Sequence, residues 1–210
     1  LTVPIVTEKT TGDEAKNNPR VSHDEMIKFI LADLDKAESL MKDYTPSSRL
    51  FPSLAVVYGI KAKVYLWDEK YDKAAEYARK AIDTFGGAPV NAAQWEDEKS
   101  GFNTANQAWM WYVNYSGESM RNLANFTGWM SAEADWGYSS LTKPGIDRSL
   151  YDKIANTDFR KNTFVHPDKF SFHNYKTSRD AQFITDAPAY LGLKFRYKTG
   201  DWETYSVGGA

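Results

Sequence analysis

Apolar and small residues recur at helical spacing through the first 87 residues and then lose that period. Behind Ser22, the residues Met26, Ile27, Ile30, Leu31, Leu34, Ala37, Leu40 and Met41 share one helical face, while Lys28, Asp35, Lys36 and Lys42 lie opposite. This is the signature of an amphipathic helix resting on a core. Ser22 and Glu25 form a capping-box pattern at its start, in which the hydroxyl and the carboxylate each take a backbone N–H of the other's residue. Residues 44–52, containing Pro46, Ser47, Ser48 and Pro52, read as a linker.

Residues 55–82, AVVYGIKAKVYLWDEKYDKAAEYARKAI, place Tyr58, Ala62, Tyr65, Ala74, Ala78 and Ala81 at successive spacings of 4, 3, 9, 4 and 3. This is tetratricopeptide spacing: bulky residues fill the gap between two antiparallel helices and alanines let the backbones approach. The expected turn is Trp67-Asp68-Glu69-Lys70, and Tyr58, Tyr65 and Tyr77 occupy packing positions, hence structural ones. Gly86-Gly87 should end the second helix through a left-handed cap, which costs little without a Cβ. One repeat cannot bury both its faces, so this pair must stack on other helices or another domain.

Beyond Gly87 the pattern predicts a polar loop over 88–107 and then a strand over 108–115, AWMWYVNY, apolar on both faces and largely buried. Trp109 and Trp111 share one side of that strand and could form a platform, but an apolar strand of that kind is more often core. Residues 116–145 carry aromatics and glycines without steady periodicity, and irregular segments of that length in compact domains usually serve a function. A short helix is expected at 148–155. Leu191, Leu193, Phe195 and Tyr197 alternate with Gly192, Lys194, Arg196 and Lys198, a half-exposed strand that Gly200 ends. The fold class is therefore mainly α: tetratricopeptide-like helical hairpins with an irregular, loop-rich region and a few short strands. The expected organisation is a helical part over 1–87, its repeat at 54–83, and an irregular aromatic-rich ligand-binding part over 88–210 packed on the helices.

Composition narrows the function classes. The chain has 210 residues, 42% of them hydrophobic, enough for one large domain or two small ones. Twenty-six basic residues against 28 acidic give no electrostatic basis for a nucleic-acid partner or an anionic membrane surface. The absence of cysteine excludes disulfides and thiolate metal sites, and suits a cytosol as well as a Gram-negative periplasm or cell surface. Apolar runs are too short to span a bilayer. Leu1 follows no signal peptide and residues 205–210 close no domain, so the chain reads as an internal fragment, and missing targeting signals carry no information about location.

The ordered combination of SHDEMIKFILADLDKAESLM, the Arg-containing linker TPSSRLFPSLA, the repeat AKVYLWDEKYDKAAEYARKAI, an irregular aromatic segment and LYDKIANTDFRKN resembles the SusD/RagB family of outer-membrane nutrient-binding lipoproteins of Bacteroidetes. The resemblance is strongest over 21–82 and 150–162, where Leu150, Tyr151, Asp152, Asp158 and Arg160 look like the family's "LYD…D.R" element. It implies a surface-exposed outer-membrane protein that binds oligosaccharides, or in some members peptides, and passes them to a SusC-like TonB-dependent transporter. It also implies that the helical repeats form an α-superhelical scaffold and docking surface, with glycan contacts in loops outside them. Membrane attachment would come only through a lipid anchor outside this chain, and the family's C-terminal helices would lie beyond its end.

Pyranose rings offer flat C–H faces that stack on aromatics, and their hydroxyls suit planar amide, carboxylate or guanidinium partners. The irregular segment supplies both, so Trp129, Trp136 and Tyr138 are the candidate stacking platforms and Asn125 and Asp135 the candidate polar partners. Loop aromatics are enriched at binding sites but also anchor loops. Trp95 and Trp202 are open to either role. Asp158 and Arg160 read as a structural ion pair or helix-terminus contact.

Catalysis finds little support in the same residues. Glu133 and Asp135 would need carboxyl groups about 5.5 Å apart for a retaining glycosidase or about 6.5–9.5 Å for an inverting one, which residues two apart meet by accident. His23, His166 and His173 lack metal-ligand spacing and read as surface histidines. There is no GxSxG elbow, no phosphate-binding glycine loop and no EF-hand. The expectation is a protein that is not an enzyme, with no catalytic residues, no metal and no cofactor; a helical-repeat module binding another protein and a glycoside hydrolase are the competing classes.

Overall fold

A single serine sets where the longest helix of the described residues begins. Ser22 Oγ accepts from Glu25 N–H at 3.2 Å, and the Glu25 carboxylate takes the Ser22 N–H at 2.9 Å and its hydroxyl at 2.8 Å. Helix α2 (His23–Leu40) therefore starts where the capping box places it. The same reciprocal pair, Thr11 with Glu14, starts a five-residue helix, α1 (Gly12–Lys16), from a T-x-x-E pattern that periodicity alone passes over. The backbone N–H of Thr11 and of Ser22 holds Glu14 and Glu25, respectively, below the ordinary glutamate range.

The structure is a computed structural model and describes residues 3–97, 105–113, 145–168 and 189–192. The chain divides into two compact units, Leu1–Gly87 and Ala88–Ala210. The described residues are mainly helical; their only strand pairing is two isolated antiparallel bridges, Gly145 with Leu191 and Phe164 with Gly192.

In the first unit the repeat forms as its spacing requires. Helices α3 (Leu54–Trp67) and α4 (Tyr71–Phe85) pack as a hairpin, and α2 packs on the other side of α3. Ala74 and Ala81 are buried, as the close approach of two backbones demands, and Tyr77 stacks on Tyr65 with centroids 5.3 Å apart while Tyr58 tilts against it at 6.1 Å. Ala55, Val56 and Val57 are consecutive and all buried, which a helix achieves only with partners on two sides. Ile27 is the buried residue of α2.

The turn uses backbone geometry. Asp68 caps α3, Glu69 takes a left-handed conformation (φ 58), its N–H donates to Leu66 C=O at 3.2 Å, and Lys70 N–H donates to Tyr65 C=O at 2.8 Å. These two bonds make a Schellman motif with glutamate where glycine is usual. Gly86, also left-handed (φ 67), closes α4 as expected. The linker is held by the Arg49 guanidinium 5.2 Å from the centre of the Phe85 ring.

One expectation about α2 is corrected. Leu40, assigned to the core face, is 73% exposed and is the last helical residue. Asp35 lies on the exposed face as expected, its side chain 68% exposed, and from there hydrogen-bonds Lys61 Nζ of α3 at 2.6 Å. Lys61 is the buried charge of the described residues, only 1% exposed, and Glu38, one turn after Asp35, binds the same ammonium. On its other side the ammonium lies 5.0 Å from the centre of the Tyr77 ring of α4, so one lysine touches all three helices. Burial alone would push the Lys61 ammonium down, but the bonds to Asp35 and Glu38 outweigh it and hold it well above the ordinary lysine range. A group raised in this way contributes its full stability below the ordinary value of 10.5 and loses it only as pH climbs through the higher folded value. The junction is therefore insensitive to pH across the neutral range.

Two substitutions test these assignments. Lys61→Met keeps the volume and strands two carboxylates; it should cost about 1–3 kcal/mol, since hydrogen bonds to charged groups are worth about 1.5–3 kcal/mol and the exposed Asp35 recovers some hydration. Urea unfolding should show a lower midpoint with unchanged slope, and adding Glu38→Met should recover part of the loss; an unchanged midpoint in the single variant would refute the role. Glu69→Gly should raise the unfolding free energy by up to about 1 kcal/mol, and the urea midpoint with it, because relief of the left-handed cost exceeds the added chain entropy, and a lower midpoint would count against it.

Candidate functional site

All five residues expected to meet a sugar, Asn125, Trp129, Asp135, Trp136 and Tyr138, lie in 114–144, outside the described residues, as do Glu133, His173 and Trp202. What the structure does show is how the described parts of the second unit are held. Asp147 caps α6 (Arg148–Lys153) by accepting from Ser149 N–H at 2.8 Å and its hydroxyl at 2.6 Å. The helix ends at Lys153, short of the expected 155, where Ile154 turns to extended backbone. It buries Tyr151 and leaves Leu150 exposed.

Tyr151 is the centre of an aromatic cluster. Its ring meets Tyr190 edge-on at 5.1 Å, Phe164 at 6.3 Å and His166 at 6.4 Å. Lys161 Nζ lies 4.6 Å from the Tyr151 ring centre while donating to Ile154 C=O and Asn156 Oδ1, both at 2.9 Å. Burial, with a smaller contribution from Tyr190, raises the Tyr151 phenol above its usual range.

Three backbone bonds tie the cluster's chains together: Val165 N–H to Leu191 C=O at 2.9 Å, Tyr190 N–H to Val165 C=O at 2.8 Å, and Ile146 N–H to Tyr190 C=O at 2.9 Å. A Cβ at Gly145 would lie 3.0 Å from the Tyr190 carbonyl oxygen, tight enough that the Tyr190 backbone would have to give by a few tenths of an ångström, so the approach favours glycine. Leu191 is buried, as the alternation expected; 193–198 lie outside the described residues.

The segment before residue 114 departs from expectation. The polar loop over 88–107 contains a short helix, α5 (Ala92–Glu96), started by an Asn91–Gln94 capping box. Trp95 packs edge-on against Phe159 at 6.0 Å, which makes it an anchor between α5 and the 3-10 helix Phe159–Thr163. Gln94 and Gln107 exchange side-chain amide bonds at 2.9 and 3.3 Å. The strand expected over 108–115 is absent from its described part: residues 106–110 turn, with Asn106 Oδ1 accepting from Ala108 N–H at 3.0 Å, and 111–113 lie outside any helix or strand. Trp111 and Val113 are exposed, so Trp111 is not core. An apolar run becomes a buried strand only when a partner edge covers it, and no such edge is recorded in its composition.

Asp158 and Arg160 form both contacts left open by the sequence. Asp158 caps the 3-10 helix through Arg160 N–H at 3.0 Å and accepts from the guanidinium at Nε (2.9 Å) and Nη2 (2.6 Å). His23 is not an idle surface histidine: it lies edge-on to Trp67 at 4.8 Å and its Nε2 meets Asp68 Oδ1 at 3.1 Å. Among the described residues no group of three or more His, Asp or Glu side chains could hold a metal ion, and no helix is long and apolar enough to cross a membrane.

No protein-family model matches the chain, and no curated protein matches it in sequence. Among solved structures, a SusD-like carbohydrate binding protein from Bacteroides vulgatus aligns with a TM-score of 0.71 over 98% of this chain, at 19% identity. The fold is SusD-like. The chain spans 40% of the length of that protein. In this SusD-like fold Tyr58 and Tyr65 of the tetratricopeptide-like hairpin pack on Tyr77, which also lies against the Lys61 ammonium.

Among the features that sequence reading missed is the Lys61 junction, and its signal is a lysine on the helical face shared with Val57 and Tyr65, opposite carboxylates three apart on the preceding helix. The Asp158 pair gives a direct test of the electrostatics. The Arg160 side-chain bonds, then the Arg160 backbone N–H, lower the Asp158 carboxyl from the ordinary 3.8 to about 2. A depressed carboxyl contributes its stability above the ordinary value and loses it as pH falls through about 2. Carbon-detected NMR titration should place Asp158 there, and Arg160→Gln should move it back up toward 3.8; an unmoved titration would contradict the pairing.

Proposed function

We propose that this protein captures oligosaccharide nutrients at the cell surface without altering them and delivers them to a SusC-like TonB-dependent transporter of the outer membrane. The observation that carries this reading is the SusD-like fold, matched over 98% of the chain to a protein described as carbohydrate binding. The sequence resemblance across 21–82 and 150–162 supports the same reading from different evidence, since it was drawn from the order of motifs. Attachment to the membrane would be through a lipid anchor outside this chain.

In this proposal residues 1–87 are scaffold and 88–210 carry the ligand. Trp129, Trp136 and Tyr138 supply stacking faces for pyranose rings, and Asn125 and Asp135 supply planar acceptors and donors for hydroxyl pairs. Nothing in the reading requires bond cleavage: the protein's work is binding, and its specificity follows from the spacing of the rings and the polar groups beside them.

Calorimetric titration of the full-length protein with defined oligosaccharides should detect binding without release of new reducing ends. Trp129→Ala and Trp136→Ala should each weaken it by about 1–3 kcal/mol, by analogy with aromatic residues that stack nucleic-acid bases. Unchanged affinity in both folded variants would refute the site assignment, new reducing ends would favour a hydrolase, and a partner protein bound in place of any sugar would favour a repeat interaction module.

A further inference from the structure

We draw no further inference here: the strongest candidate, the apolar surface patch that Ile60, Leu66, Trp67 and Tyr71 leave exposed along α3 and at its corner with α4, is an unpartnered helix face, and nothing in the structure shows what covers it.

Discussion

The first unit depends on one buried ammonium. Apolar packing between helices is tolerant of rotation and of small shifts, because the hydrophobic effect has no direction. Lys61 removes that tolerance. Its charge cannot be left unpaired in the interior, and among the described residues the carboxylates that reach it stand one turn apart on α2, so α2 is favoured at the rotation and height where the cost of burial is met. Tyr77 on α4 lies against the same ammonium, which extends the constraint to the hairpin's second helix. Buried pairs of this kind add little net stability over a well-packed apolar group. Here the lysine selects one arrangement among several similar ones.

The second unit solves a different problem. Its described chains share only isolated bridges, so no ladder organises them. Aromatic edges around Tyr151, a lysine placed over the same ring, and caps at Asp147 and Asp158 take that role. Such a framework fixes a few points of chain and leaves the intervening segments to be specified by their own sequences. In such an arrangement loops can change their contacts without disturbing the points that hold them.

How much of this was legible in the sequence follows from the range of each interaction. The capping box at Ser22 and the glycine stop of the hairpin are local, and their residues alone announce them. The hairpin was legible because the spacing of its alanines and tyrosines is the packing. Lys61 was not, since its meaning lies in Asp35 and Glu38, 26 and 23 residues away, and a lysine in a helix reads as solvent-facing by default. The run around Trp111 misled for the complementary reason: apolar character predicts burial, yet burial needs a partner chain that composition does not record. Leu40 shows the same limit at smaller scale, with a correct face but no neighbour at the helix end. The five residues expected to hold sugar rest on residue chemistry and family resemblance alone.

Lys70 joins the two repeat helices in a way that bears on how they come apart. Its N–H closes α3 on Tyr65, and its C=O accepts the bond from Ala74 N–H at 2.9 Å that opens α4. Neither α3 nor α4 has a side-chain cap at its start, in contrast to α1, α2 and α5. The start of α4 therefore has no local signal of its own; it borrows the conformation in which α3 ends. Fraying of the last turn of α3 releases Lys70 and with it the first turn of α4, so the hairpin opens at its corner as one cooperative element, whereas α2 has its own cap to hold its first turn.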